Sequence, residues 1–466
     1  MAPIIQFLKN NSTFKLMSII FLVMIMLIPL NMVEDLIYER TSMRQQAEDN
    51  IAQSWGADQI ITGPVLKIPY KKTRVEKKIL SNGEEKEIIH YEIHSIFLLS
   101  DQLAIKTQME TEIRYLGIYD VPVYLSHSNI QAGFKFEDLK RINKRYSNVL
   151  WQQAALIIPF SDVRGIRELS ANATINGKKR LLNFTSYNKG GAFNGVVADF
   201  PIPPAYVSSR LAVSLKAENI AVDYKLALAG SHSIMFRPFG RKTDVKMTSD
   251  WSSPSFNGRF LPSKRVISES GFSASWHILE LNRKFPQLWI DQTVNKYTLE
   301  QATFGVKLYQ PVNLYQQNKR SIKYAVLFIA LTFMTFFLFE ILYKHRLHPM
   351  HYFFTGGALS MFYLLLLAFS EHTGFGIAYL IATISVSTLM GGYSISLFKS
   401  RKRGYLVGGM SFVLYGFFYM LIQSEENALL LGSIVFFSVL SIIMYSTRNI
   451  NWSLSEEQGT AAGMQR

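Results

Sequence analysis

Tyr324 to Leu342 reads YAVLFIALTFMTFFLFEIL, an apolar run whose one charged residue, Glu340, stands close to its end. A helix of this length is about 28 Å long, enough to cross a hydrocarbon core of ~30 Å. After this run the chain consists of hydrophobic stretches and short loops. Before it, back to Val33, it is compatible with water. The run therefore predicts a polar domain held between one early membrane span and a late block of spans.

The early span is Leu16 to Met32, which carries no charge and follows a short segment, residues 1–15, bearing Lys9 and Lys15. The following stretch, IPLNMVEDLIYER, offers no small-residue cleavage site, so the segment reads as an uncleaved signal anchor with its lysines cytoplasmic. Glu34 to Gln53 is rich in helix formers and free of Gly and Pro. A helical stalk over 33–56 is expected, ending near Gly56. Arg40 and Arg44, one turn apart, suit either lipid phosphates or the wet face of that stalk.

Five late spans are expected at 324–342, 352–369, 374–397, 405–422 and 428–445. The loop 343–351 carries Lys344 and Arg346, and the loop 398–404 carries Lys399, Arg401, Lys402 and Arg403. The intervening loops carry only Glu371, and Glu425 with Glu426. Basic loops stay cytoplasmic. One topology satisfies all four loops: six spans, both termini cytoplasmic (1–15 and the tail 446–466), and the domain 33–323 on the far side. Gly374, Ala378 and Ala382, and Gly356 with Ser360, are spaced for close helix approach.

The large domain reads as mainly β. Apolar–polar alternation flanks Asn82-Gly83 and Asn176-Gly177, pairs that tolerate the positive φ angles of tight hairpins. FEDLKRINKR, Phe136 to Arg145, is its one clear helical patch. An antiparallel sandwich or pair of sheets fits best.

Composition narrows the chemistry. The 466 residues contain no cysteine, which removes disulfides, thiol nucleophiles and Cys-based metal sites. The net charge of +15 is spread without a long basic run in a chain anchored to a bilayer, so nucleic acid is not the expected partner. The lipid bilayer is one partner, and an envelope protein, lipid or anionic polymer is the natural other. No cofactor or metal is expected. His90, Glu92 and His94 alternate on one strand face, but without a fourth ligand they read as a solvated edge. His345, His348 and His351 surround Pro349 amid basic residues and read as an interfacial turn. Ser268, Glu269 and Ser270 lack a nucleophile elbow and read as a turn.

Three residues remain as catalytic candidates. Glu340 lies inside a span, where a carboxylate suggests function, although Lys344 one turn on could make it an interfacial ion pair. Glu371 and His372, with Ser370, sit in an apparent four-residue loop, Ser370–Thr373. Consecutive residues point in different directions and do not assemble a triad. That loop is expected instead to cap helices and make contacts.

KYAVLFIALTFMTFFLFEIL and RLHPMHYFFTGGALSMFYLLLLAFSEHTGF resemble the CreD family of bacterial inner-membrane proteins. So do ITGPVLKIPY, SDVRGI, DWSSPSFNGRFLPSKRVISESGFSASW and TRNINW, and together these cover nearly the whole chain. The resemblance implies a Gram-negative inner membrane and a part in cell-envelope integrity and envelope-stress response; with the loop charges, that puts the large domain in the periplasm. It carries over no catalytic residue. The function expected is therefore contact with envelope components rather than catalysis. The alternative is a transporter or membrane enzyme acting on an envelope precursor. Oligomeric state is open.

Overall fold

The chain forms two compact units, one of Met1–Arg44 with Val312–Arg466 and one of Gln45–Pro311. The structure is a computed structural model. It describes residues 12–79, 85–146, 148–175, 177–187, 194–203, 219–291, 293–308, 314–343 and 347–424, then 430, 432–434, 437–438, 441, 444–445 and 448.

A single helix, α1 (Ser12–Trp55), begins in the first unit and ends in the second. In its first half Ile19, Met26, Leu30, Val33 and Ile37 are buried, whereas Phe21, Met24, Ile28 and Met32 are exposed. Apolar side chains all round a helix suit hydrocarbon, where the helical backbone satisfies its own polar groups.

The second unit follows as β1 (Gln59–Thr62), β2 (Val65–Ile79), β3 (Glu85–Leu116), β4 (Tyr119–Lys135) and thirteen further strands. Among the described residues they form a 13-stranded and a four-stranded sheet. The spine is β3, which pairs antiparallel with β2 over its first part and with β4 over its second. Most pairings are antiparallel, as alternation predicts. Two are parallel, β1 with Ser233–Arg237 and β3 with Gly240–Ser249. Parallel neighbours need long crossovers, so no local turn signal announces them. The core gathers Ile61, Leu66, Leu103, Tyr124, Phe134, Phe236, Trp276 and Phe304. On its rim, α2 (Phe136–Arg145) buries Phe136, Leu139 and Ile142 at helical spacing. The short α3 (Lys296–Glu300) is capped by Asn295. The turn at Asn82-Gly83 lies outside the described residues, and Gly177 takes φ 78° between two paired strands.

The chain then returns to the first unit with α4 (Leu314–Lys323), α5 (Ala325–Tyr343), α6 (Pro349–Thr373), α7 (Phe375–Phe398) and α8 (Arg401–Gln423). Met17–Trp55, Pro349–Thr373, Phe375–Phe398 and Arg401–Gln423 are long and apolar enough to cross a membrane. The pair Leu314–Lys323 and Ala325–Phe337, bent by 43°, makes a fifth if it is one span. Half of residues 428–445, expected as the last span, fall outside the described set, so the structure describes fewer spans than the six expected. Among its described positions, 430, 432–434, 437–438, 441 and 444–445 are helical.

The run Tyr324–Leu342 thus has a helical forerunner that hydropathy misses. The buried face of α4 is Tyr315, Asn318, Ser321 and Ile322, and two of those are polar. At the junction Tyr324 N donates to Ser321 O at 3.2 Å, a tightened turn where the helix bends.

Helix approach also differs from expectation. Ala378 and Ala382 are fully buried, but Gly374 is the residue between α6 and α7, with φ 80° and open space around it. The tightest backbone approach joins α7 to α8. A Cβ on Gly408 would lie 3.2 Å from Gly391 Cα and from Ser387 O. Gly356 meets Met26 and Phe333. Gly408→Leu should therefore destabilise the purified protein by about 1–3 kcal/mol through overpacking. Gly409→Leu, where nothing lies within 4 Å, should leave the thermal midpoint unchanged. Equal midpoints for the two variants would refute this packing.

Candidate functional site

The carboxylate at position 371 is the best-connected candidate. Ser370 and Glu371 lie not in a loop but in the last turn of α6, which runs to Thr373. Tyr315 OH donates to Glu371 Oε1 at 3.2 Å, and Arg40 Nε lies 3.6 Å from the same oxygen. Ser370 Oγ donates to Leu367 O at 2.8 Å and accepts from Asn318 Nδ2 at 3.0 Å. Lys319 Nζ lies over the Tyr38 ring at 4.3 Å. One cluster thus ties α1, α4 and α6. A carboxylate at a helix C-terminus opposes the helix dipole, and the guanidinium and phenol beside it offset that cost. The Glu371 side chain is 10% exposed and that of Arg40 42%. Their ion pair alone is therefore worth less than about 1 kcal/mol, and the network is what holds.

His372 is exposed, and among the described residues no hydrogen bond joins it to Ser370 or Glu371. The Ser370 proton is already given to a backbone carbonyl. This set has no activated nucleophile.

The second carboxylate, Glu340 on α5, is 8% exposed and accepts from Tyr352 OH at 3.2 Å. Lys344 and His345 lie outside the described residues. His348 caps α6, its Nδ1 accepting from Met350 N at 3.3 Å, and Pro349 opens that helix rather than breaking it. His351 Nδ1 and Tyr393 OH are 2.7 Å apart. His348 thus caps α6, and His351 in its first turn ties α6 to α7.

In the β unit, His90 lies 3.2 Å from Glu76, Glu92 lies 3.7 Å from Arg74, and His94 Nδ1 lies 2.6 Å from Asp291. Among the described residues no three His, Cys, Asp or Glu side chains are grouped to hold a metal. Ser268 and Ser270 bond each other at 3.0 Å in the turn before Gly271, whose φ is 131°.

Sequence reasoning missed the site where α1 ends. Two guanidinium groups lie over the Trp55 ring, Arg114 at 3.7 Å and Arg167 at 5.0 Å, and the indole donates to Tyr124 O. Arg164 Nη1 donates to Gln53 O at 3.3 Å, and Arg167 Nη2 to Trp55 O at 3.0 Å. These are carbonyls that the finished helix leaves unpaired. Asp162 Oδ2 accepts from Ala57 N at 3.3 Å, and its carboxylate is forked by Arg164. Ser161 Oγ accepts from Ile60 N and donates to Asp58 O. A Cβ at Gly165 would lie 2.3 Å from Ala229 O and 2.4 Å from Gln59 Nε2, so only glycine fits. SDVRGI is therefore a clasp on residues 53–60. Burial alone would raise the Asp162 carboxyl. The hydrogen bonds from Arg164 and from the Ala57 amide outweigh it and hold the group below its ordinary 3.8.

A model of the family described as "Inner membrane protein CreD" matches residues 11–453, which includes the clasp, both carboxylate clusters and the β unit. The chain belongs to the CreD family. It is 33% identical over 447 residues to the inner membrane protein CreD of Escherichia coli (strain K12), covering 96% of this chain and 94% of that protein. Two of the stretches that carried the CreD resemblance prove to be architectural. SDVRGI clasps α1. In DWSSPSFNGRFLPSKRVISESGFSASW, Asp250 accepts from Thr111 N and Oγ1, and Trp276 packs on Phe256 and Phe304.

Because the folded Asp162 pKa is depressed, its contribution is present above about pH 4 and is lost as the pH falls through the lower folded value. Asp162→Asn should cost about 1–3 kcal/mol at pH 7. The gap in thermal midpoint from the parent should close as the pH is lowered below 4. A gap that is constant with pH would show that the charge is not what matters.

Proposed function

We propose that this CreD-family protein supports cell-envelope integrity and the envelope-stress response by contact, its periplasmic β domain meeting envelope proteins, lipids or anionic polymers. Six spans cross the inner membrane, both termini are cytoplasmic, and residues 33–323 lie in the periplasm. The charge alternation of the loops supports this orientation. The observation that carries the contact reading is the state of Glu371. It is engaged by Tyr315 and Arg40, while Ser370 beside it is engaged by Asn318. A general base needs a free lone pair within reach of a substrate proton, and a nucleophile needs a base. Ser370 gives its proton to Leu367 O and has no base beside it, and Oε1 of Glu371 is held by Tyr315 and Arg40. A transporter or membrane enzyme that used Oε1 of Glu371 would have to break these contacts.

Orientation is tested in intact cells with an impermeant thiol reagent, since the chain has no native cysteine. A cysteine at exposed Thr73 should be labelled and one at Ser400 protected. The reverse pattern overturns the topology. Mechanism is tested by survival under envelope stress at matched membrane abundance. Glu371→Gln, His372→Asn and Glu340→Gln should each lose only part of the protection. Complete loss from any one of them would transfer the reading to proton transfer or catalysis.

A further inference from the structure

Seven strands of the larger sheet each place one residue in a single row on the same face. In register across the sheet, Lys264 stands opposite Ser275, Ser275 opposite Lys246, and Lys246 opposite Lys106. The row continues from Lys106 to Asn129, Lys225 and Ser170. All four lysines are exposed. Ile105, Thr107, Val245, Met247, Tyr224 and Leu226, which flank three of them in the chain, are buried, so the row lies on the side away from the core. Neighbouring strands stand about 4.8 Å apart, so the row runs for about 24 Å from Lys264 to Lys225, with lysines at intervals of about 5 or 10 Å.

Nothing in the row is acidic. Among the described residues no carboxylate lies within ion-pair distance of any of the four lysines. The next row holds Asp244 and Asp223, and Asp244 is engaged by His277 and Lys242. On the other side Glu168 stands beyond Ala227, and Glu110 is four residues from Lys106. Lys106 and Lys246 are direct cross-strand neighbours, and like charges so placed destabilise a sheet. An anion that bridges the two ammonium groups removes that cost.

We propose that this row is a docking surface for a linear anionic polysaccharide, a chain of acidic sugars lying across the strands. The inference deepens the contact reading above and rests on it. Charge complementarity selects an extended polyanion, because the lysines form a line and not a pocket. The side chains among them select its chemistry. Asn129 and Ser170 within the row, and Thr248, Gln108 and His127 along its side, can both donate and accept hydrogen bonds. Sugar hydroxyls use both kinds of partner, whereas a polyphosphate only accepts. A membrane surface or a protein fits less well. From Lys246 to Lys225 these rows expose no large apolar side chain, so neither insertion into lipid nor a protein hot spot has an anchor there. Val266 lies outside that stretch, on the edge strand.

The test uses the full chain in nanodiscs of neutral lipid and a fluorescently labelled oligogalacturonate, a linear chain of uronic acids. Binding is read by anisotropy at about 0.1 M salt, where exposed charges more than ~10 Å apart are largely screened. The parent should bind it and should not bind an uncharged dextran of equal length. Lys106→Gln with Lys246→Gln should weaken binding about fivefold or more and flatten its salt dependence. Lys72→Gln with Lys144→Gln removes the same charge from exposed positions off the row and should change affinity less than about twofold. All four substitutions are at exposed positions, so both double variants should keep the parent's thermal midpoint.

No binding by the parent, or an equal loss from both double variants, overturns the proposal. Stronger binding of polyphosphate at equal charge, or of phosphatidylglycerol vesicles, overturns the choice of partner in favour of phosphate or lipid. Binding is read in vitro, so its failure strikes this surface alone, whereas survival under envelope stress decides the contact reading.

Discussion

The last turn of α1 leaves carbonyl oxygens that no later helical residue can reach, and their satisfaction inside a β unit is the constraint on which this architecture rests. Arg164 and Arg167 reach Gln53 O and Trp55 O, and Asp162 holds the Ala57 amide just beyond the helix. The two carbonyl bonds are exposed and replace bonds to water, so each is worth about 0.5–1.5 kcal/mol, while the Ala57 amide is part-buried. Trp55 adds area and a second use for the same cations, since Arg167 both donates to its carbonyl and lies over its ring. The helix that begins among apolar residues at Ser12 is thereby completed within a β sheet's loops.

At Glu371 the same logic governs a carboxylate. A negative charge at the end of α6 is tolerated because a phenol and a guanidinium from two other helices converge on it. On the proposed reading, charge here holds helices together. Glu340 is handled alike by Tyr352. Both acids look catalytic by residue type and structural by neighbourhood.

What the sequence made legible was whatever is local. Hydropathy located the long apolar helices, and alternation located the β unit. FEDLKRINKR announced α2, with its buried Phe136, Leu139 and Ile142 at helical spacing. The illegible parts depend on distant partners. α4 escaped notice because Asn318 and Ser321 lie on its buried face, so its amphipathicity does not show as hydrophobicity. Ser370 to Thr373 looked like a loop because polarity ended the apolar run, yet the backbone stays helical until Gly374. The clasp joins residues more than a hundred positions apart, as from Arg164 to Gln53, and no spacing rule connects them.

The central claim is that Glu371 serves as a tie between helices, and reversing the pair tests it most directly. Arg40→Glu or Glu371→Arg alone should lower both thermal stability in detergent and survival under envelope stress. The double reversal should recover both, with a coupling of about 0.5 kcal/mol or more in stability. If the double variant regains stability but not survival, the carboxylate at 371 acts chemically and the contact account is wrong.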